Sequence, residues 1–260
     1  MTETEKIPDT WCAMWSHDAA LAHDLVAPGG RQWAGTAAGL DDVVGPAATE
    51  QFVAAYQRRR GIRFAPRTLV IDGSERLAYT WDATLRDGTV LTGADVCVLR
   101  DGLVEDNWTI VGEQRAPAPD VAGSGTASRA ELAAAVAAWT ALWNGDTSRI
   151  ADVVAPEVTI WLGRQPDGAD SDGANEVRAD EVRGPDALAA YVERFRVSRA
   201  GLVLAAHREP VLDVERRTAA VLWTGTVDGR TVTGGIDVLA MRDGRVAHAW
   251  TLVGKRPMRY

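Results

Sequence analysis

The 260-residue chain lacks several features that would place it in common classes of protein. It has only two cysteines, Cys12 and Cys97, which predicts reduced thiols and a cytoplasmic location rather than a disulfide framework. No segment reaches the roughly 20 apolar residues that a membrane helix needs, and residues 1–8 do not read as a signal peptide. The 28 Lys and Arg form no long runs and the net charge is −8, which argues against nucleic acid and membrane partners.

Motifs that hold cofactors are missing as well. The chain has no glycine-rich phosphate loop, no paired-cysteine zinc motif and no Gly-x-Ser-x-Gly elbow, so we expect no cofactor and no metal. An acidic stretch at residues 165–180 contains Asp170-Ser-Asp172-Gly173, but the ligand spacing of a calcium loop is not completed there. This stretch is predicted to be a solvated loop, with a lid over a cavity as the alternative.

What the chain does contain is an internal repeat. The first copy has the pattern Trp11-x-x-x-Trp15-x-x-Asp18, which returns as Trp139-x-x-x-Trp143-x-x-Asp146. The end of each copy also repeats: Asp95-Val96, Arg100-Asp101-Gly102 and Trp108-Thr109 return as Asp237-Val238, Arg242-Asp243-Gly244 and Trp250-Thr251. We therefore predict two domains, residues 1–115 and 129–260, joined by a Pro-, Gly- and Ala-rich linker at residues 116–128.

Each copy has helical patterns first and strand patterns afterwards. A long helix, a turn and a shorter helix ending at Pro28 or Pro156 are predicted, followed by a strand and by a helix that Gly45-Pro46 or Gly184-Pro185 opens. Asp-Gly turns then separate long strands, at residues 77–85 and 91–99 in one copy and at 219–227 and 231–240 in the other. This order predicts the α+β class, with helices on one face of a curved antiparallel sheet.

The closing block of each copy has the form Gly-x-Asp-Val-x-x-x-Arg-Asp-Gly-x-Val-x-x-x-Trp, after a helix opened by Gly-Pro. This pattern resembles the nuclear transport factor 2-like superfamily, within it most of all the ketosteroid isomerases and the SnoaL-like polyketide cyclases, and it covers each copy almost end to end. The resemblance implies two SnoaL-like domains whose sheets wrap into cones around deep apolar cavities. It also implies that the two domains pack sheet to sheet as a pseudo-dimer within one chain. The chain itself would then be a monomer or part of a larger assembly.

Two aspartates are the candidate catalytic residues. Strand alternation places Asp95 and Asp237 among apolar neighbours, where a carboxyl group is costly without a role. By resemblance, both match the ketosteroid isomerase Asp of the oxyanion hole, which an apolar site keeps protonated. The alternative is a structural Asp that accepts hydrogen bonds from backbone or Trp N–H groups.

The resemblance also identifies what the chain has lost. The isomerase base position holds Ala34 and Leu162, and its Tyr donor falls near Thr10 and Ala138. The cyclases carry an Asp directly after the closing Trp, where this chain has threonine in both copies. The base of neither family is therefore expected in either cavity.

Candidate substrate-binding residues come mainly from the ten tryptophans, which recur as five matched pairs. By resemblance, four of them line the cavities and would hold a flat apolar ligand, although ordinary core packing is the alternative for each. Trp108 and Trp250 are expected to be interface anchors instead. The full set of predicted binding residues is Trp11, Trp33, Trp139, Trp161, Thr109, Thr251 and His17, the last with solvent exposure at a turn as its alternative.

These observations leave three hypotheses about function. The first is an enzyme without a cofactor that cyclises, isomerises or opens the epoxide of an apolar, polyketide-like intermediate of secondary metabolism. The second is a binding protein that carries an apolar small molecule without chemistry. The third is a mixed protein, with one active domain and one degenerate structural partner.

Overall fold

The computed structural model describes residues 2–117, 126–163 and 181–260. The first domain contains, in order, α1 (Glu3–Ser16), α2 (Ala22–Leu25), β1 (Val26–Ala34), α3 (Gly45–Arg60), β2 (Arg63–Asp72), β3 (Arg76–Thr84), β4 (Val90–Arg100) and β5 (Leu103–Val111). The second domain contains α4 (Arg129–Trp143), α5 (Ile150–Val153), β6 (Val154–Gly163), β7 (Glu181–Arg183), α6 (Pro185–Ser198), β8 (Val203–Ala206), β9 (Val211–Asp213), β10 (Thr218–Val227), β11 (Arg230–Arg242) and β12 (Arg245–Val253).

Each domain has one sheet, and the predicted α+β class with helices against a curved sheet is confirmed. The strand order is β1-β5-β4-β3-β2 in the first sheet and β7-β6-β12-β11-β10-β8 in the second, where β9 also pairs with β10. The sheets are not wholly antiparallel as predicted, because the first long strand of each domain runs parallel to the last one, β1 beside β5 and β6 beside β12. Such a parallel neighbour needs a long crossover, which the intervening helix and hairpins provide.

Local sequence signals account for many of the element boundaries. Gly45 begins and Gly184 precedes the third helix of its domain, with φ values of 76° and 80°, and a proline follows in the first turn. The Arg-Asp-Gly turns place Asp101 and Asp243 at positive φ, which Asp tolerates better than most residues. The predicted end of the short helices was too late, because the strands already begin at Val26 and Val154.

The core consists of one large cluster inside each domain, a third cluster between the two sheets and a small fourth cluster of Ala34, Leu40 and Val43 in the first domain. The third cluster contains Trp33 and Trp108 from the first domain and Trp161 and Trp250 from the second, all at most 4% exposed. Small and branched side chains of both sheets fill the space between them, including Ala78, Ala94, Val96, Ala220, Ile236 and Val238. Burial of this much apolar surface makes the two domains one packed unit, and the predicted interface position of Trp108 and Trp250 is confirmed.

The end of the chain crosses from the second domain onto the first. Residues 255–260 follow β12, and the backbone carbonyls of Pro257 and Arg259 accept hydrogen bonds from the indoles of Trp33 and Trp108, at 3.2 and 2.8 Å. The side chain of Arg256 pairs with Asp41 and also donates to backbone carbonyls of the same loop. This tail therefore provides acceptors for two buried indoles and fastens one domain to the other.

The Asp41→Asn variant is expected to lower the free energy of unfolding by about 1–2 kcal/mol, because Asp41 is 6% exposed in its side chain and is shared by Arg256 and Arg259. Urea denaturation at neutral pH measures the change. The neighbouring Asp42 is exposed, and Asp42→Asn is the matched control, with an expected change of less than about 0.5 kcal/mol. Equal effects of the two variants would contradict the fastening role of the tail.

Several predictions concern residues at the edge of the described part of the chain. Ala116 is buried, and its carbonyl accepts a hydrogen bond from Arg67 at 3.0 Å, so the start of the predicted linker packs on the first domain. Most of the linker and the whole acidic stretch at 165–180 lie outside the described residues. Both cysteines are free and buried, as expected for reduced thiols. No helix among the described residues is long and apolar enough to cross a membrane.

Candidate active site

Each domain encloses a cavity between its sheet and its helices. The cavity of the first domain has a volume of about 770 Å³ and that of the second about 670 Å³. Both are lined mainly by aromatic and aliphatic side chains, and each has one aspartate in its wall, Asp95 in the first and Asp237 in the second. Volumes of this size hold a molecule of several fused rings.

Asp237 lies in the middle of β11 and is 4% exposed. Its two carboxyl oxygens each accept one indole N–H, from Trp139 of α4 at 2.7 Å and from Trp223 of β10 at 3.0 Å. Thr251 lies directly across the strand pair, on β12. The carboxyl group is thus held by two rigid donors and keeps lone pairs for a further partner.

Asp95 occupies the equivalent position on β4 and has more donors. Tyr79 and Asn107 donate to one carboxyl oxygen, at 2.8 and 3.2 Å, and Trp81 donates to the other at 2.8 Å. The positions that correspond to Tyr79 and Asn107 in the second domain hold Val221 and Ala249. The two aspartates therefore occupy equivalent positions, but the oxygens of Asp95 accept more side-chain hydrogen bonds than those of Asp237.

Glycines make the indole contacts possible. Gly235 pairs with Trp223 across the β10–β11 ladder, and Gly93 pairs with Trp81 across β3–β4. A Cβ atom on Gly235 would lie 2.0 Å from Cζ2 of Trp223, and one on Gly93 would lie 2.2 Å from Cζ2 of Trp81. Each glycine thus leaves the space in which an indole lies flat across the neighbouring strand and reaches the aspartate two residues further on.

Burial shifts the acid–base properties of these groups. Desolvation raises the pKa of Asp237 to about 6, although the indole hydrogen bonds of Trp139 and Trp223 and the nearby Thr251 act to lower it. Desolvation also raises the pKa of Asp95, against its own donors. At pH 7 a pKa of about 6 leaves Asp237 mainly ionised, so the expectation that the apolar site keeps it protonated holds only at lower pH. The reason is that two N–H donors favour the carboxylate.

The elevated pKa predicts a pH-dependent stability difference between the wild type and the Asp237→Asn variant. Because the folded-state pKa lies above the unfolded value, the stabilising contribution of Asp237 is complete below pH 4 and is lost as the pH rises through about 6. Between pH 4 and pH 7 the wild type should lose about 2–3 kcal/mol of unfolding free energy relative to the variant. Guanidinium titrations at a series of pH values measure this difference, and a constant difference would refute the shifted pKa.

The structure brings together some of the predicted binding residues and separates others. Trp11 and Thr109 line the cavity of the first domain together with Asp95, and Trp139 and Thr251 line that of the second together with Asp237. Cys12 also lines the first cavity, and because burial raises the pKa of its thiol it remains protonated rather than nucleophilic.

Three predicted positions are wrong. Trp33 and Trp161 lie between the sheets rather than in the cavities, because their strands pair with β5 and β12 in a register that sets Trp33 beside Trp108 and Trp161 beside Trp250. His17 is exposed at the C-terminal end of α1, where only its backbone N–H caps the helix. Solvent exposure, the alternative for His17, is what the structure shows.

Trp N–H donors were the structural alternative for both aspartates, and indoles do donate to Asp95 and Asp237. The donors Tyr79 and Asn107 were not predicted, although the sequence carries a signal for Tyr79. Tyr79 lies directly opposite Asp95 in the β3–β4 ladder, and counting back from the Asp87-Gly88 turn gives this pairing. Among the described residues, no group of three or more His, Cys, Asp or Glu side chains has an arrangement that could hold a metal ion.

Residues 134–249, nearly all of the second domain, match the family model of the SnoaL-like domain. The second domain is therefore similar to SnoaL-like domains over most of its length. No curated protein matches the chain.

Similar solved structures each span about half of the chain. A proposed isomerase of the SnoaL-like family from Agrobacterium tumefaciens is 20% identical and covers 44% of this chain and 100% of its own, with a TM-score of 0.38. A nuclear transport factor 2-like protein of unknown function from Mesorhizobium loti is 21% identical over 43% of this chain and 92% of its own, with a TM-score of 0.37. A proposed ketosteroid isomerase from Kribbella flavida is 20% identical over 49% and 92%, with a TM-score of 0.36.

Proposed function

We propose that this protein is an enzyme that moves a proton within an apolar small molecule bound in the cavity of its second domain. The reaction is a cyclisation, an isomerisation or a ring opening that needs no cofactor. The observation that carries this proposal is Asp237, the only carboxyl group among the described lining residues of that cavity, with a pKa of about 6. A pKa close to the working pH is what an efficient general acid–base catalyst needs.

The chemistry follows from the two protonation states of Asp237. The ionised carboxylate removes a proton from a C–H or O–H group of the substrate and becomes the neutral acid. The acid then returns the same proton to another atom of the substrate, such as a carbon of the shifted double bond or the oxygen of the opened ring. The indoles of Trp139 and Trp223 hold the carboxyl group in one orientation during both steps.

A developing negative charge on the substrate also needs a hydrogen-bond donor. Trp143 lines the same cavity and is 6% exposed, and its buried indole N–H has no partner among the described residues. An unpaired buried N–H is costly, so a substrate carbonyl or enolate oxygen that accepts from it gains a hydrogen bond and removes that cost. We assign Trp143 this role beside Asp237.

The first domain supports a different assignment. Asp95 accepts hydrogen bonds from Tyr79, Trp81 and Asn107, so its oxygens already have three protein partners. Its cavity remains large and aromatic. We propose that this domain binds an apolar ligand without turning it over and supports the second domain through the shared interface. A protein that only binds ligands in both domains is the second candidate.

A flat, neutral substrate that reports on a buried base tests the proposal. The base-promoted ring opening of 5-nitrobenzisoxazole needs only removal of one C–H proton, after which the N–O bond breaks and a coloured phenolate forms. The wild type and Asp95→Asn should catalyse this reaction, and Asp237→Asn should not. If neither the wild type nor Asp95→Asn exceeds the buffer rate, the ligand-binding candidate replaces the enzyme.

A further inference from the structure

The mouths of both cavities are basic, although the chain as a whole carries a net charge of −8. In the second domain, Arg194 and Arg199 at the end of α6 and Lys255 after β12 line the opening, and all three are exposed. The only carboxylate in the described lining of this cavity is Asp237, deep in the wall. We call Arg194, Arg199 and Lys255 the second rim.

The first domain has cations at the equivalent place. Arg59 and Arg60, at the end of α3, line its opening and are exposed, and Asp95 is again the only carboxylate in the described lining. We call this pair the first rim. The interiors of the two cavities differ at the residues around their aspartates, yet both copies keep cations at the mouth. Basic residues at a helix C-terminus also favour the helix dipole, but Lys255 belongs to no helix and lies on the same opening.

From this arrangement we infer that the ligand of these cavities is an amphipathic anion, with an apolar body and a carboxylate or phosphate group at one end. The inference rests on the proposed function for its substrate role, and extends it by naming the class of substrate. The apolar body fits the aromatic walls, and the charged end lies at the rim.

The orientation follows from electrostatics. A second negative charge inside the cavity would lose its hydration and would lie close to ionised Asp237, both of which are unfavourable. At the mouth the same group stays in contact with water and lies beside two or three cations. The rim therefore fixes which end of the substrate enters first and so which atoms reach Asp237.

Competition between matched ligands tests this inference. The reporter is 1-anilinonaphthalene, a neutral dye that fluoresces in apolar cavities, and the competitors are 2-naphthoate, 2-naphthyl phosphate and neutral methyl 2-naphthoate. In the wild type, at least one of the two anions should displace the dye at a concentration on the order of tenfold lower than the ester does. The factor is modest because each exposed ion pair contributes little binding free energy. The advantage should shrink between 0.05 and 0.5 M NaCl. The stronger of the two anions identifies the end group as carboxylate or phosphate.

Charge-removal variants assign the effect to the rims. Arg194→Gln with Arg199→Gln, and Arg59→Gln with Arg60→Gln, should each reduce the anion advantage at one site to less than about threefold. Binding of the methyl ester should stay within about twofold of the wild type. The control is Arg100→Gln with Arg245→Gln, which removes two exposed cations at the opposite ends of the sheets and should preserve the advantage.

Three results would overturn the inference: no anion advantage in the wild type, an unchanged advantage in both rim variants, or an equal loss in the control. None of them depends on turnover. Failure of the acid–base proposal would appear instead as unchanged ring opening by Asp237→Asn, so the two failures can be told apart.

Discussion

The Asp237→Asn variant is expected to open the ring of 5-nitrobenzisoxazole at least about a hundredfold more slowly than the wild type, since a positioned general base contributes roughly 10²–10⁴ in rate. Asparagine keeps the size of the side chain and one oxygen for an indole donor, but it cannot take up a proton. The loss should therefore appear in kcat, while the binding of the neutral substrate changes little. Initial rates of phenolate formation measure the effect.

The pH dependence identifies the residue that acts. The wild-type rate should rise with pH, reach half of its maximum near the pKa of Asp237 at about 6, and stay level above pH 7. Only the carboxylate accepts the substrate proton, which sets the direction of the change. Asp95→Asn should show the same midpoint, because its cavity is separate. A wild-type midpoint near pH 4 would mean that the catalytic carboxylate is exposed rather than buried.

Much of the fold can be read from the sequence because its signals are local. The Asp-Gly turns and the Gly-Pro helix starts each depend on the backbone conformation of one or two residues, and their positions were correct in both copies. The inward direction of Asp95 and Asp237 follows from alternation along a single strand. The repeat then supports each assignment twice.

The errors arose where two distant segments pair. Trp33 lies in a strand that runs parallel to β5, far along the chain, and no turn fixes the register between them. Only that register places Trp33 beside Trp108, on the face toward the other domain. The same holds for Trp161 and Trp250. Within a hairpin, by contrast, the register can be counted from the turn, and Tyr79 opposite Asp95 was within reach of such counting.

The contrast between the two sites also lies beyond single-strand patterns. Both copies keep the aspartate and the cross-strand Trp. Among the described residues, however, only the second domain has a helix that donates an indole N–H to its aspartate, through Trp139 of α4. In the first domain Tyr79 and Asn107 from neighbouring strands take that place. The packing of the helix over the sheet determines which donors surround the carboxyl group. These donors in turn determine whether a carboxyl oxygen is still available to accept a substrate proton.

Gly235→Ala is expected to destabilise the protein by about 3–5 kcal/mol and to reduce ring opening to a level near that of Asp237→Asn. The added Cβ would lie 2.0 Å from Cζ2 of Trp223 and 2.6 Å from the backbone oxygen of Leu252, so the indole has to move. Moving the indole breaks its 3.0 Å hydrogen bond to Asp237, so the buried indole N–H and the buried carboxyl oxygen both lose their partner. Chemical denaturation and initial rates measure the two effects.

Gly93→Ala is the matched control, because it creates the same conflict with Trp81 in the other domain, at 2.2 Å. It should cost a similar unfolding free energy yet leave most of the ring opening of the folded protein intact. A second variant, Gly235→Ala with Trp223→Phe, removes the contact with Cζ2 of the indole but keeps the close approach to the backbone oxygen of Leu252, so it should regain part of the stability without regaining activity. Full activity of that double variant would show that the indole of Trp223 does not position Asp237. Recovery of stability without activity would mean that Gly235 leaves room for the Trp223 indole, which holds Asp237 in place.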